Sequence, residues 1–260
     1  MEKAWKNPPL FYTLAQIKFN NIANMEAYIP QLQDKLRHIG YPDFQIEKKV
    51  EVNIRDAGGS QPDVHPRPFI RWHFLNIDRT EAYTLLPDAI AFHTAQYMRF
   101  QDFSRKVHDG ISLANEIIKF AYIDRIGLRY LDAIVPANED IIDAYLNPSL
   151  LGLSADNSLK LAHNYNETVS QIDGGTLVSR VIITEHGLAL SPDLLPMILT
   201  LPDRINNPSG KMALIDTDYF VENRINFDLN SVKEQLSASH EKTKKIFESS
   251  VTEYAISVWE

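Results

Sequence analysis

The chemistry on offer in this sequence lies in two pairs of charged residues. Tyr122 to Val135 reads as a strand, and alternation along it puts Arg125, Gly127 and Arg129 on one face, with Tyr122, Asp124, Ile126, Leu128, Tyr130 and Asp132 on the other. Two guanidinium forks flanking a residue without a side chain could close on a phosphate or carboxylate, because arginine presents paired planar donors and glycine lets a ligand reach the backbone. The competing reading pairs both arginines with acids of a neighbouring strand or helix, a purely structural role. The second pair is Asp216 and Asp218, two apart on the expected strand Lys211 to Phe220. Their carboxylates point the same way and could share a hard cation such as magnesium, as in metal-dependent phosphoryl chemistry. Met212 and Leu214 share that face, however, and a strand passing from core to solvent gives the same pattern.

Other reactive types form no recognisable constellation. The chain has eight histidines with no HxxxH, HxH or HExxH spacing, and no cysteine, so a local zinc site, an iron–sulfur cluster and a disulfide framework are not expected. His240 falls on the apolar stripe of the last helix and reads as a hydrogen-bonded residue at the core edge. Trp72 and His73 are neighbours on a strand and face opposite ways. Ser209-Gly210-Lys211-Met212 lacks the first glycine and the hydroxyl residue of a phosphate loop, and neither GxGxxG nor GxSxG is present. Lys242, Lys244 and Lys245 alternate with Glu241 and Glu248 as on a solvated helix face. No catalytic residue is assigned and no cofactor is expected; magnesium enters only with an enzyme reading.

Around these residues the hydrophobic pattern specifies alternating strands and helices. Phe11 to Phe19 predicts a strand ending at Asn20-Asn21; Met25 to Ile39 predicts a helix capped by Asn24 and stopped by Gly40. Phe44 to Ile54 predicts a second strand, and Arg55 to Pro68, with Gly58-Gly59 and three prolines, a proteolysis-prone surface loop. Strands at Phe69 to Ile77 and Ala82 to Tyr97, the latter bent at Pro87, precede a helix whose buried stripe is Phe100, Phe103, Val107, Ile111, Ala114 and Ile118. Beyond Val135, Asp173-Gly174-Gly175 turns a hairpin between Leu159 to Ile172 and Thr176 to Thr184, and one long helix runs from Leu229 to Val258. The fold class is α+β: mixed or antiparallel sheets, each covered on one face by long amphipathic helices. Residues 1–135 form a β-α-β-β-β-α-β unit, 136–158 connect, and 159–260 supply antiparallel strands and the terminal helix, packed closely on the first unit. A strand-then-helix echo leaves open whether the two parts are related.

At 260 residues the chain is long enough to bury roughly three-quarters of its extended surface without staples. A net charge of −8 disfavours nucleic acid and anionic lipid, although nine Arg and Lys stand against seven Asp and Glu between Arg67 and Arg129. Leu194 to Pro202, the longest apolar run, is too short to span a membrane, and Met1 to Leu10 has no signal-peptide core, so a soluble, cytoplasmic protein is expected.

Four segments in this order, Asn7-Pro8-Pro9-Leu10, the strand and helix with Leu32-Gln33, Arg125 to Asp132, and Asp216 to Phe220 before a terminal helix, carry a resemblance that runs nearly end to end. The chain resembles a sporadically distributed prokaryotic family of about this length for which no activity is established. The resemblance implies no site residues; a patchy distribution of that kind implies an accessory gene of a mobile defence-type or toxin–antitoxin locus. The leading expectation is therefore a noncatalytic binding or interaction protein, taking a protein partner or a small anionic ligand, with homo-oligomers open. One alternative is a magnesium-dependent enzyme on a phosphorylated or nucleotide-like substrate, using Arg125 and Arg129 for the anion and Asp216 and Asp218 for the metal. The other is RNA binding on an exposed sheet face carrying Arg71 and Trp72.

Overall fold

The structure, a computed structural model, describes residues 5–55, 63–137, 140–155, 160–206 and 210–260. Among them nine strands make one sheet: β1 (Leu10–Phe19), β2 (Asp43–Arg55), β3 (Asp63–Leu75), β4 (Glu81–Leu86), β5 (Ala89–Thr94), β6 (Tyr122–Ile134), β7 (His163–Ile172), β8 (Gly175–Thr184) and β9 (Met212–Asn226). Their order is β2-β3-β4-β5-β1-β6-β9-β8-β7, and every neighbouring pair is antiparallel. The helices are α1 (Ile29–His38), α2 (Phe100–Ile118), the single turn α3 (Asp203–Asn206), α4 (Leu229–Ser250) and α5 (Glu253–Trp259). The class is α+β with an antiparallel sheet. Where the sequence suggested several sheets there is one, because β6 pairs with β9 from Tyr122↔Asn226 to Ile134↔Ala213 and joins early and late strands edge to edge. None of the described helices is long and apolar enough to cross a membrane.

Alternate residues of the strands serve different cores. Ala15, Ile17 and Phe19 of β1, Phe92 of β5, and Ile126, Leu128 and Tyr130 of β6 share one cluster with Leu32 and Leu36 of α1, the α2 stripe, and Val232 and Leu236 of α4. A second cluster joins Ile134, Val181, Ile183, Ala213 and Ile215 to Tyr145, Leu146 and the α5 residues Ala255 and Trp259. The intervening positions, Tyr12, Leu131, Ala133, Ile182 and Leu214, share a third cluster that includes no residue of α1, α2, α4 or α5 among the described residues. They are covered by the irregular stretch from Leu188 to Ile205, which contributes Leu199 and Ile205. That stretch is tied down where Thr200 N–H donates to the Arg79 carbonyl at 2.7 Å and Arg204 donates to the Leu10 carbonyl at 3.0 Å.

Several expectations are corrected by local chemistry. The strand expected at Ala82 to Tyr97 is two, β4 and β5, folded about Pro87-Asp88 with Leu86 opposite Ala89. Pro66 and Pro68 lie within β3 rather than in a loop; β4 pairs only with Trp72 to Leu75, so among the described residues this part of β3 has a free edge, where a sheet tolerates proline. Residues 56–62 of the expected proteolysis-prone loop lie outside the described residues. A register shift between Ile123 and Arg125 puts Ile123 in the same core as Ile126, so strict alternation fails at Asp124. The single terminal helix is two: the Ser250 carbonyl accepts from Asn147 N–H at 2.9 Å, Thr252 N–H donates to the Tyr145 carbonyl at 3.0 Å, and Thr252 Oγ1 caps α5. Asn24 makes no side-chain cap; the chain enters α1 through a 3-10 turn, Met25–Tyr28. The connecting segment 136–158 holds three short 3-10 turns, Ile142–Ala144, Pro148–Leu150 and Gly152–Ala155, while 138–139 and 156–159 lie outside the described residues.

Candidate functional site

The two arginines and two aspartates singled out by spacing lie on adjacent strands and the same face. Cross-strand partners share a face, and the register sets Arg129 opposite Asp218 and Leu131 opposite Asp216. The two arginines nevertheless have different surroundings.

Arg129 reaches diagonally to Asp216 and grips it with both arms of its fork, Nε to Oδ1 at 2.7 Å and Nη2 to Oδ2 at 2.6 Å. Its remaining Nη1 donates to Asp193 at 2.5 Å. Asp216 is wholly buried and Arg129 nearly so, but the Asp193 side chain is 64% exposed. Burial opposes the guanidinium charge, yet Asp216 and Asp193 together hold it above the ordinary arginine range. Asp216 Oδ2 also accepts from Ser191 Oγ at 3.1 Å and lies 3.5 Å from Arg180 Nη1. To bind a cation Asp216 would have to abandon these donors. Among the described residues no group of three or more metal-ligating side chains converges.

Arg125 lies back along its own strand. Its Nη1 donates to Gln16 Oε1 at 3.1 Å, its guanidinium carbon stands 4.2 Å from the Phe220 ring centre, and Asp218 is 3.6 Å away. A Cβ on Gly127 would sit 2.8 Å from Arg125 Nη1. The space that glycine was expected to leave for a ligand is thus filled by Arg125 itself. Burial raises the Asp218 carboxyl above its usual range, with Arg125 and Arg129 opposing the shift.

The network opens into a cleft of about 520 Å³ between the β7–β8 hairpin and the stretch Ala189 to Asp193. Arg180 crosses its floor: Nε donates to Glu167 Oε2 at 2.6 Å and to the Tyr165 hydroxyl at 3.1 Å, and that hydroxyl donates to Glu167 at 3.0 Å. The Tyr165 and Arg180 hydrogen bonds hold Glu167 ionised, below its usual range. His163, Ile182 and Leu190 complete the walls. Of these charged groups Arg180, Glu167 and Asp193 line the cleft, while the buried Arg129 and Asp216 lie behind it, bonded to Asp193 and close to Arg180 respectively.

Sequence reasoning missed Arg180, Glu167, Tyr165, Ser191 and Asp193. A signal existed for the first two. Arg180 is a lone charge between Val178 and Ile182, and a two-residue turn at Asp173-Gly174, both at positive φ, pairs Ile172 with Gly175 and hence Glu167 with Arg180. The expected three-residue turn shifts that register by one and hides the pair. Nothing in the local pattern marked Ser191 or Asp193.

Elsewhere on this face a polar patch runs toward β3. The Tyr12 hydroxyl lies 2.6 Å from His93 Nδ1, His73 Nδ1 is 2.9 Å from Thr84 Oγ1, and Arg71 donates to Glu47 at 3.2 Å. Burial, reinforced by electrostatic interaction with His73 and Arg71, pushes His93 down to about 3. Trp72 is 4% exposed within the core shared with α1 and α2, so it offers no ring to a base and the platform imagined with Arg71 is absent. His240 is half-buried, stacked 4.1 Å from the Phe100 ring, with Nδ1 2.9 Å from the Tyr130 hydroxyl. No protein-family model matches the chain, and a search of the curated proteins finds no match.

Proposed function

We propose that this chain is a noncatalytic binding protein that takes a carboxylate- or phosphate-bearing group into the cleft between the β7–β8 hairpin and Ala189 to Asp193. One observation carries the reading: a buried arginine fork, Arg129, presents its last arm to an exposed carboxylate, Asp193, so an anion already occupies the position a ligand's anion would take. Asp193 can swing into water; Asp216, fixed by both other arms, cannot. Arg180 stands beside it, bonded to Glu167 through Nε and 3.5 Å from Asp216 through Nη1, and supplies a second positive charge for the incoming group. Walls of Tyr165, Ile182 and Leu190 suit a small ligand with an apolar part.

The way the polar groups are held supports binding rather than turnover. The Ser191 hydroxyl donates to Asp216, and a carboxylate clamped by a bidentate guanidinium is a poor base. The Tyr165 hydroxyl donates to a carboxylate kept ionised, which makes neither a ready general acid. The magnesium-dependent reading would require Asp216 to release Arg129, and the RNA reading would require Trp72 at the surface. In the setting the resemblance implies, the bound group belongs to a signal or partner of a mobile defence-type or toxin–antitoxin locus, sensed by a cytoplasmic accessory component.

Calorimetric titration with inorganic phosphate and with succinate tests this. Wild type binds at least one of them, Arg180→Ala loses about tenfold or more in affinity, and Asp193→Asn tightens it by removing the internal competitor. No binding to wild type, or equal binding to all three proteins, refutes the site.

A further inference from the structure

The two outer strands of the sheet are finished differently. The β2 edge carries Asp43, Glu47, Lys48, Lys49, Glu51 and Arg55 in thirteen residues, and its partner β3 contains Pro66 and Pro68. Charges and prolines of this kind stop edge strands from pairing with other chains. The β7 edge has none of these defences. Its ten residues include one charge, Glu167, already bonded to Arg180, and neither lysine nor proline. Its register with β8 is unbroken from His163↔Thr184 to Ile172↔Gly175, and Val169 is 59% and Tyr165 49% exposed. Among the described residues no strand pairs with its outer side.

The turn at Asp173-Gly174 fixes which backbone groups point outward. In a two-residue hairpin the flanking residues exchange both hydrogen bonds, so Ile172, Ser170, Thr168, Asn166 and Asn164 bond to β8. The amides and carbonyls of Gln171, Val169, Glu167, Tyr165 and His163 therefore face away from the sheet.

We infer that β7 pairs antiparallel with β7 of a second copy of this chain across a two-fold axis, making one continuous sheet. An axis normal to the sheet keeps like faces together and must pass through a residue position. Centred on Glu167, the pairing would set that carboxylate opposite itself, a like-charge clash. Centred on Thr168, it sets Glu167 opposite the second copy's Val169 and Tyr165 opposite the second copy's Gln171, twice each by symmetry. All four pairs use outward-facing backbone groups, giving about eight main-chain hydrogen bonds. The strand is thus complementary to itself, and the edge that dimerises is the one where a chain of net charge −8 carries least repulsion. Glu167 and Tyr165 also line the cleft, so the second copy's Val169 and Gln171 become part of its outer wall. The dimer does not depend on a ligand.

Sedimentation equilibrium of the full chain, without ligand, provides the first test: a dimer is expected, and a monomer at tens of micromolar overturns the inference. Thr168→Lys opposes two like charges at the axis and raises the dimer dissociation constant roughly tenfold or more. Val169→Pro removes only an outward donor, and it gives a monomer with an unchanged circular dichroism spectrum. A dimer indifferent to both substitutions refutes the β7 edge. Since the chain has no cysteine, Thr168→Cys reads the register directly. Facing residues of a non-hydrogen-bonded pair lie about 4.5 Å apart at Cα, within disulfide reach, so the variant crosslinks on mild oxidation. Ser170→Cys, opposite Asn166 rather than itself, does not. Crosslinking of Ser170→Cys with none at Thr168→Cys overturns the proposed register. Loss of phosphate binding with the dimer intact bears on the cleft reading alone.

Discussion

Replacing Asp216 with alanine removes the counter-ion of a guanidinium that is 7% exposed, and two of the three nitrogens of that fork lose their acceptor at once. Asp193 remains on the third, but from an exposed position that compensates weakly. Breaking a buried pair from one side costs about 3–5 kcal/mol, because the surviving charge stays in a medium that solvates it poorly. For a chain of this size that is a fall in Tm of about 10 °C. Arg129→Met should cost the same order, its damage limited because Asp216 keeps Ser191 and Arg180 nearby. In the double variant Arg129→Met/Asp216→Leu neither charge is left, and stability returns to within about 1 kcal/mol of wild type. Urea denaturation followed by circular dichroism, with the m-value as a check on two-state behaviour, measures the cycle. A single-variant cost below about 1 kcal/mol, or costs that simply add in the double variant, would refute the claim that this pair is a coupled buried unit.

Other outcomes follow from close packing and titration. Gly110→Ala would drive a Cβ into the Tyr83 ring, whose hydroxyl is held by the Lys106 carbonyl; a loss of about 1–3 kcal/mol in urea is expected despite alanine's better helix propensity. Gly127→Ala meets only the movable end of Arg125, so less than about 1 kcal/mol should be lost, a contrast that equal costs for the two variants would abolish. Burial pushes the Asp132 carboxyl up to about 8, with Arg204 partly opposing. It is therefore protonated in the folded chain where the unfolded chain has already released its proton. Its contribution is fully present below about pH 4, declines as pH rises toward 8 by at most about 1.4 kcal/mol per unit, and levels off beyond. Asp132→Asn should remove that slope, and parallel pH–stability curves for the two proteins would show it was never there.

The sequence by itself determined the local conformations and the facing of side chains within each. Period-2 alternation placed Arg125 with Arg129 and Asp216 with Asp218, and the Phe100 to Ile118 stripe defined the buried side of α2, because these relations depend only on backbone geometry repeated along one element. What lay across from each element was decided elsewhere. That Arg129 grips Asp216, eighty-seven residues away, depends on β6 pairing with β9, and the presence of Asp193 beside them depends on an irregular stretch with no periodicity to read. The same dependence split the terminal helix, since Asn147 and Tyr145, distant in the chain, capture the backbone at Ser250 and Thr252. The Glu167–Arg180 pair falls between the two cases: its register was contained in one turn, and a one-residue difference in turn length reverses the facing of one strand's side chains relative to the other's. Propensity and pattern act over a few residues. The site is made by contacts between elements, whose partners are selected by the packing of the whole sheet.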